Sequence, residues 1–168
     1  MIELTTPFSE ETISALEVGD VVSISGYIYT GRDAVLPKII KAGEEGNLSE
    51  MGIDLQGAVV FHTAVSPAGV GPTSSNKVEI EDSFEPLSKL GVKMHLGKGA
   101  ISKETVKTLA ENNSVFAVIP PVTALLESQT LEREVVAYPE LGMEAMNRLK
   151  VEKYQAIIGA AKGKSIYD

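Results

Sequence analysis

Three apolar runs, each closed by a polar loop that carries glycine, constrain this chain more than any other feature. "VVSISGYIY" leads into "TGRD" (30–33), "GAVVFHTAV" (57–65) into "SPAGVGPTSSNK", and "VKMHL" into "GKG". In the first run Val22, Ile24, Gly26 and Ile28 recur on one face at a period of two, the pattern of a strand. The runs are far shorter than the roughly 20 apolar residues a bilayer-spanning helix needs. They read instead as buried strands whose loops are free to carry function.

The remaining segments complete an α+β pattern. Ser9 is placed to cap a short first helix. Asp33 is placed to cap a second, running to about Lys41, with Pro37 in its first turn and Gly43 and Gly46 ending it. A short helix is expected near "SFEPLSKLG", and a full one from Ser102 to the Asn112–Asn113 stop. "VFAVI", "EREVVAY" and "YQAIIGAA" read as strands, "PPVTALL" as a short helix and "PELGMEAM" as a helical turn. Strands outnumber helices and many links are short. The expected fold is therefore α+β, with a mixed, curved sheet rather than a regular parallel array, in one domain over residues 1–168.

Composition excludes several functions. At 168 residues the chain can bury a real core, and 43% hydrophobic content is that of a globular protein. A net charge of −8, no Trp and few aromatics argue against a nucleic-acid partner. There is no cysteine, so the chain offers neither disulfides nor thiolate ligands for zinc or an iron–sulfur cluster. "MIELTTPFSEE" has no basic region followed by an apolar core, so a cytoplasmic location without membrane contact is expected.

The loops hold the candidate chemistry. Arg32 of "TGRD" can offer a two-pronged fork to a carboxylate, or can pair with Asp33 or an acidic helix face. Thr73 of "GPTSSNK" follows Pro72. It is either a turn-bonding hydroxyl or a reactive one. Lys77 closes that loop as a cation, or is the first exposed residue of the next segment. Lys98 stands between two glycines. It is an ordinary turn lysine, or an ammonium directed into a cleft. Nucleotide binding fails on the motif: Gly97-Lys98 is followed by Gly99, and no glycine stands five residues before Gly97. "GVGPTS" shows no helix signal directly behind it. His62 and His95 lie in apparent strands without metal-pair spacing and read as structural. No serine sits in a nucleophile elbow.

Taken in order, "GDVVSISGYIYTGRD", "GPTSSNK", "GVKMHLGKGAIS" and "ELGMEAMNRLKVEKYQAIIGAAKGKSIYD" resemble the β subunit of class I fumarate hydratases. That family includes the L(+)-tartrate dehydratase β subunit and the C-terminal domain of single-chain enzymes. The resemblance covers nearly the whole chain. It implies a swivelling β/β/α domain and a hydro-lyase that adds water reversibly across a dicarboxylate double bond. It also implies an α-subunit partner, in a heterotetramer, holding a [4Fe–4S] cluster on three cysteines. By the same resemblance Arg32, Lys77 and Lys98 bind the small dicarboxylate substrate, and Thr73 moves the proton on carbon. This chain itself would hold no metal. The family usually reads "GPTTSxRM", with arginine where this chain has Lys77, so the charge is kept and the fork lost. A domain that binds an anion or a partner without catalysis is the reading from another class.

Overall fold

The computed structural model describes residues 1–63, 65–66, 69–70, 77–98, 101–119 and 128–166, with backbone alone for 65–66, 69–70 and 77–80. Its frame is five parallel strands joined by helices, the first pairing only the opening half of the second. Strand β1 (Ile2–Thr5) precedes helix α1 (Glu10–Ser14) and strand β2 (Val21–Thr30). Helix α2 (Leu36–Glu44) then crosses to β3 (Val59–Phe61). The hairpin β4 (Val65–Ser66) and β5 (Gly69–Val70) leads to α3 (Lys77–Lys89), which crosses to β6 (Met94–Gly97). Helix α4 (Lys103–Glu111) crosses to β7 (Val115–Val118). Strand β8 (Thr130–Ala137), a 3-10 turn (Pro139–Glu144), the long β9 (Met146–Ala161) and β10 (Lys164–Ser165) complete the order.

Strands β2, β3, β6 and β7 pair in parallel, in that order. Strand β9 runs antiparallel to both ends of this row, pairing β7 over 157–160 and β2 over 147–157. The path from β2 through β3, β6, β7 and β9 therefore returns to β2, and the sheet closes on itself. The sheet is mixed, as expected, but its centre is the regular parallel run the sequence pattern did not suggest.

Closure explains the apolar runs. In β3, Val59 and Phe61 point into the barrel with Met94 and Leu96 of β6, Val115 and Ala117 of β7, and Leu149 and Tyr154 of β9. The alternate residues face outward and are buried again. Val60 packs under α2 with Ile39, and Phe116 packs under α4 with Leu109. A strand covered on both faces has no polar side to show, so its sequence is a continuous apolar run. Gly26 marks a bulge in β2 at φ 111°, where a Cβ would stand 2.4 Å from Thr6 Oγ1.

Local signals held in part. Ser9 and Ser102 cap α1 and α4 by accepting from Thr12 and Thr105 backbone N–H groups. Asp33 does not cap α2: that helix begins at Leu36 after Val35 with no side-chain cap bond. Instead the Arg32 carbonyl accepts from the Val35 and Leu36 N–H groups at 3.2 and 2.9 Å. The short helix expected near "SFEPLSKLG" is the 13-residue α3, with Pro86 inside it. It opens at Lys77, directly behind "GPTSSN", where no helix signal was read. Strand β1 was not foreseen, and the expected helix at "PPVTALL" lies at 120–126, outside the described residues. No described helix is long and apolar enough to cross a membrane.

Candidate functional site

The parallel register brings the ends of β2, β3, β6 and β7 to one edge of the barrel. Thr30 pairs with Phe61, Phe61 with Leu96, Leu96 with Ala117 and Gly97 with Val118. The ladder runs one residue further: the N–H groups of Gly31, His62 and Ile119 donate to the carbonyls of Phe61, Leu96 and Gly97 at 3.0, 3.0 and 2.9 Å. Arg32 and Lys98 follow directly. The chain that leaves β3 for "GPTSSNK" starts from the same edge. In an α/β sheet this carboxyl edge is where ligands bind, because the loops there vary without disturbing the strands.

Arg32 is mostly enclosed, with 18% of its side chain exposed. Its Nη2 group donates to Oε1 of Glu144, the last residue of the 3-10 turn. That bond holds the guanidinium even more firmly protonated than usual, against the opposing effect of burial. Asp33 adds a smaller electrostatic contribution in the same direction. Glu144 was not foreseen. The two residues are 112 positions apart, and no spacing rule reaches that far. The link passes through β9: Asn147 pairs with Thr30 and its N–H donates to Thr30 Oγ1 at 3.3 Å.

Lys98 is exposed in the bend after β6. Its loop is pinned downstream, where the Ser102 N–H donates to Glu81 of α3 at 2.7 Å. Thr73 lies outside the described residues. Lys77 opens α3, but its side chain is likewise outside them. The structure thus brings Arg32 and Lys98 to one edge and leaves the other two candidates undescribed.

The two histidines are buried beneath α3, on the outer face of the sheet. His62 Nε2 and His95 Nδ1 share a hydrogen bond at 3.0 Å, and His95 Nε2 meets Ser88 Oγ at 3.0 Å. Phe84 stacks on His95 with ring centroids 4.3 Å apart. Burial pushes His62 down to about 3 and holds His95 well below its usual range. Burial keeps both rings neutral; His95 lies in β6 as expected, whereas His62 stands one residue past the end of β3. Among the described residues no cluster of acids and histidines is arranged to hold a metal.

Comparison with known proteins adds the following. A family model described as "Fumarase C-terminus" matches residues 1–168. A protein of Geobacillus stearothermophilus, provisionally named fumarate hydratase class I, is 30% identical over 170 residues. The match takes in 94% of this chain but 32% of that protein, so the chain spans about a third of its length. A Methanocaldococcus jannaschii protein, provisionally named L(+)-tartrate dehydratase subunit beta, is 30% identical over 95% of this chain and 88% of its own. The L(+)-tartrate dehydratase subunit beta of Escherichia coli K12 is 29% identical over 92% of this chain and 80% of its own.

Proposed function

The chain belongs to the fumarase C-terminus family, and from that premise we propose that it is the β subunit of a hydro-lyase that reversibly hydrates fumarate to L-malate. Its cleft is shared with a separate α subunit. The observation that carries this reading is the common barrel edge from which Arg32 and Lys98 emerge. Two cations at one edge suit a substrate with a carboxylate at each end. A charge-assisted hydrogen bond to each contributes roughly 1.5–3 kcal/mol.

The family's [4Fe–4S] cluster does not fit this chain's own residues, since there is no cysteine to ligate it. In this reading it belongs to the α subunit. What this chain does is bind, orient and move one proton. Arg32 and Lys98, with Lys77, hold the carboxylates and stabilise the charge that develops when the C–H bond of malate breaks. Thr73 takes that proton in dehydration and returns it to carbon in hydration. A threonine hydroxyl is a weak base, so it depends on the same cations to stabilise its alkoxide.

L(+)-tartrate is the second substrate reading. What favours it is that the two relatives named as separate β subunits carry the tartrate name. Rates of the assembled enzyme on L-malate, fumarate and L-tartrate decide between the two. In that assembly Thr73→Ala should lower turnover by about 10²–10⁴-fold with the subunits still associated. Lys98→Ala should raise KM and lower kcat together. A non-catalytic domain would leave both variants at the parent rate.

A further inference from the structure

We propose that Glu144 is a positioning residue for Arg32, fixing its guanidinium for a substrate carboxylate. This rests on the reading above that Arg32 binds one. An unheld arginine side chain carries about 2 kcal/mol of rotamer entropy, which is lost again on each binding event unless the fork is already aligned. Here the Nη2 group donates to Glu144 Oε1, and the carboxylate is itself mostly enclosed, with 25% of its side chain exposed.

The backbone that carries the acid is itself tied down. Glu144 ends a turn in which Tyr138 and Gly142 sit at φ 54° and 61°. The turn is closed by hydrogen bonds from Leu141 N–H to the Tyr138 carbonyl and from Ala145 N–H to the Gly142 carbonyl, each 3.0 Å. The Ala145 carbonyl accepts from Asn147 Nδ2, and the Asn147 backbone is tied to Thr30 Oγ1, both at 3.3 Å. The start of β9 and the end of β2 are therefore locked together on either side of the ion pair. Glu144 Oε2 is enclosed and has no hydrogen-bond partner among the described residues. An oxygen shut away from solvent does not reach substrate, so Glu144 acts through Arg32.

Two effects of Glu144 oppose each other. Its shape aligns the fork, and its charge repels an incoming dicarboxylate. Three variants of the assembled α–β enzyme separate them by steady-state kinetics on L-malate. Glu144→Gln keeps an acceptor for Nη2 and removes the charge, so KM should stay within about threefold of the parent. Glu144→Ala loses the acceptor, and KM should rise about tenfold, the equivalent of about 1.4 kcal/mol, with kcat within about threefold. Glu144→Asp keeps the charge but loses reach. It should match the Ala variant, and it carries the test alone if Glu144→Ala does not fold. The double variant with Arg32→Ala should be no worse than Arg32→Ala by itself, since coupled residues are not additive.

An unchanged KM in Glu144→Ala or Glu144→Asp, beside an impaired Arg32→Ala, overturns the proposal and spares the reading of Arg32. So does a fall in kcat and melting temperature at the parent KM, which marks a merely structural contact. Arg32→Ala with parent kinetics removes the carboxylate-binding reading and this inference with it.

Discussion

His62 and His95 carry the residue-scale lesson. Each stands where a strand residue points outward, and α3 covers both, so two polar rings fill a space that aliphatic side chains fill elsewhere. They bond one another and Ser88 at 3.0 Å, which leaves His62 Nδ1 as the ring nitrogen of the pair without a hydrogen-bond partner among the described residues. The arrangement requires neutral rings. The unfolded chain takes up protons on these histidines below about pH 6.5, whereas burial holds the folded pKa of His62 down to about 3. Stability from this source is therefore complete above about pH 6.5 and declines as pH falls. By pH 5 His62 costs about 2 kcal/mol, and His95 adds to the loss in the same direction. Urea midpoints should drop between pH 7 and 5, while the two imidazole resonances of the native chain stay neutral across that range. Native rings that titrate near 6.5 would contradict the buried assignment. The pair was legible as two strand histidines, but their contact, 33 positions apart, was not.

At the scale of elements, β9 decides the architecture. Its pairing with β2, β7, β8 and β10 makes it the seam of the barrel. Only its second half, "YQAIIGAA", reads as a strand in sequence. The first half alternates Leu149 and Val151 with Arg148, Lys150 and Glu152. One side fills the barrel and the other meets solvent. Leu149 has no exposed surface and lies between Ile28 of β2 and Arg133 of β8. Leu149→Ala should cost about 2–5 kcal/mol by urea denaturation, since a closed barrel relaxes poorly around a cavity. Exposed Ile157 on the same strand should change by less than about 0.5 kcal/mol on truncation in the isolated chain. Helix α3 shows the opposite case. A short helix is expected near "SFEPLSKLG", yet α3 runs 13 residues through Pro86, where burial of Phe84 and Leu87 outweighs the missing N–H.

For the whole molecule, closure gathers the loops. Strands β2, β3, β6 and β7 end in register on the same edge, so residues just past their ends share a surface. Arg32 and Lys98 meet this condition, and the match of the family model to residues 1–168 agrees with a likeness visible along the entire sequence. The proposed function makes this edge half of a cleft. The purified chain, freed of iron and of any companion, should therefore show no hydration of fumarate above background. Addition of the cognate α subunit with its cluster restored should produce it. A full rate from the isolated chain would show that the cleft is complete without a partner.

The sequence by itself determined most of the barrel's parallel strands, the absence of thiolate chemistry, the family and the loops that follow the strands. These are local or compositional properties: period-two burial, glycine beside a cation, and a cysteine count of zero. Tertiary structure alone decided that the sheet closes and that Arg32 is gripped by Glu144. Both depend on long-range register, set when β9 buries its apolar side against β2. Side-chain pairs brought together by such register leave no spacing for a reader of the chain to find.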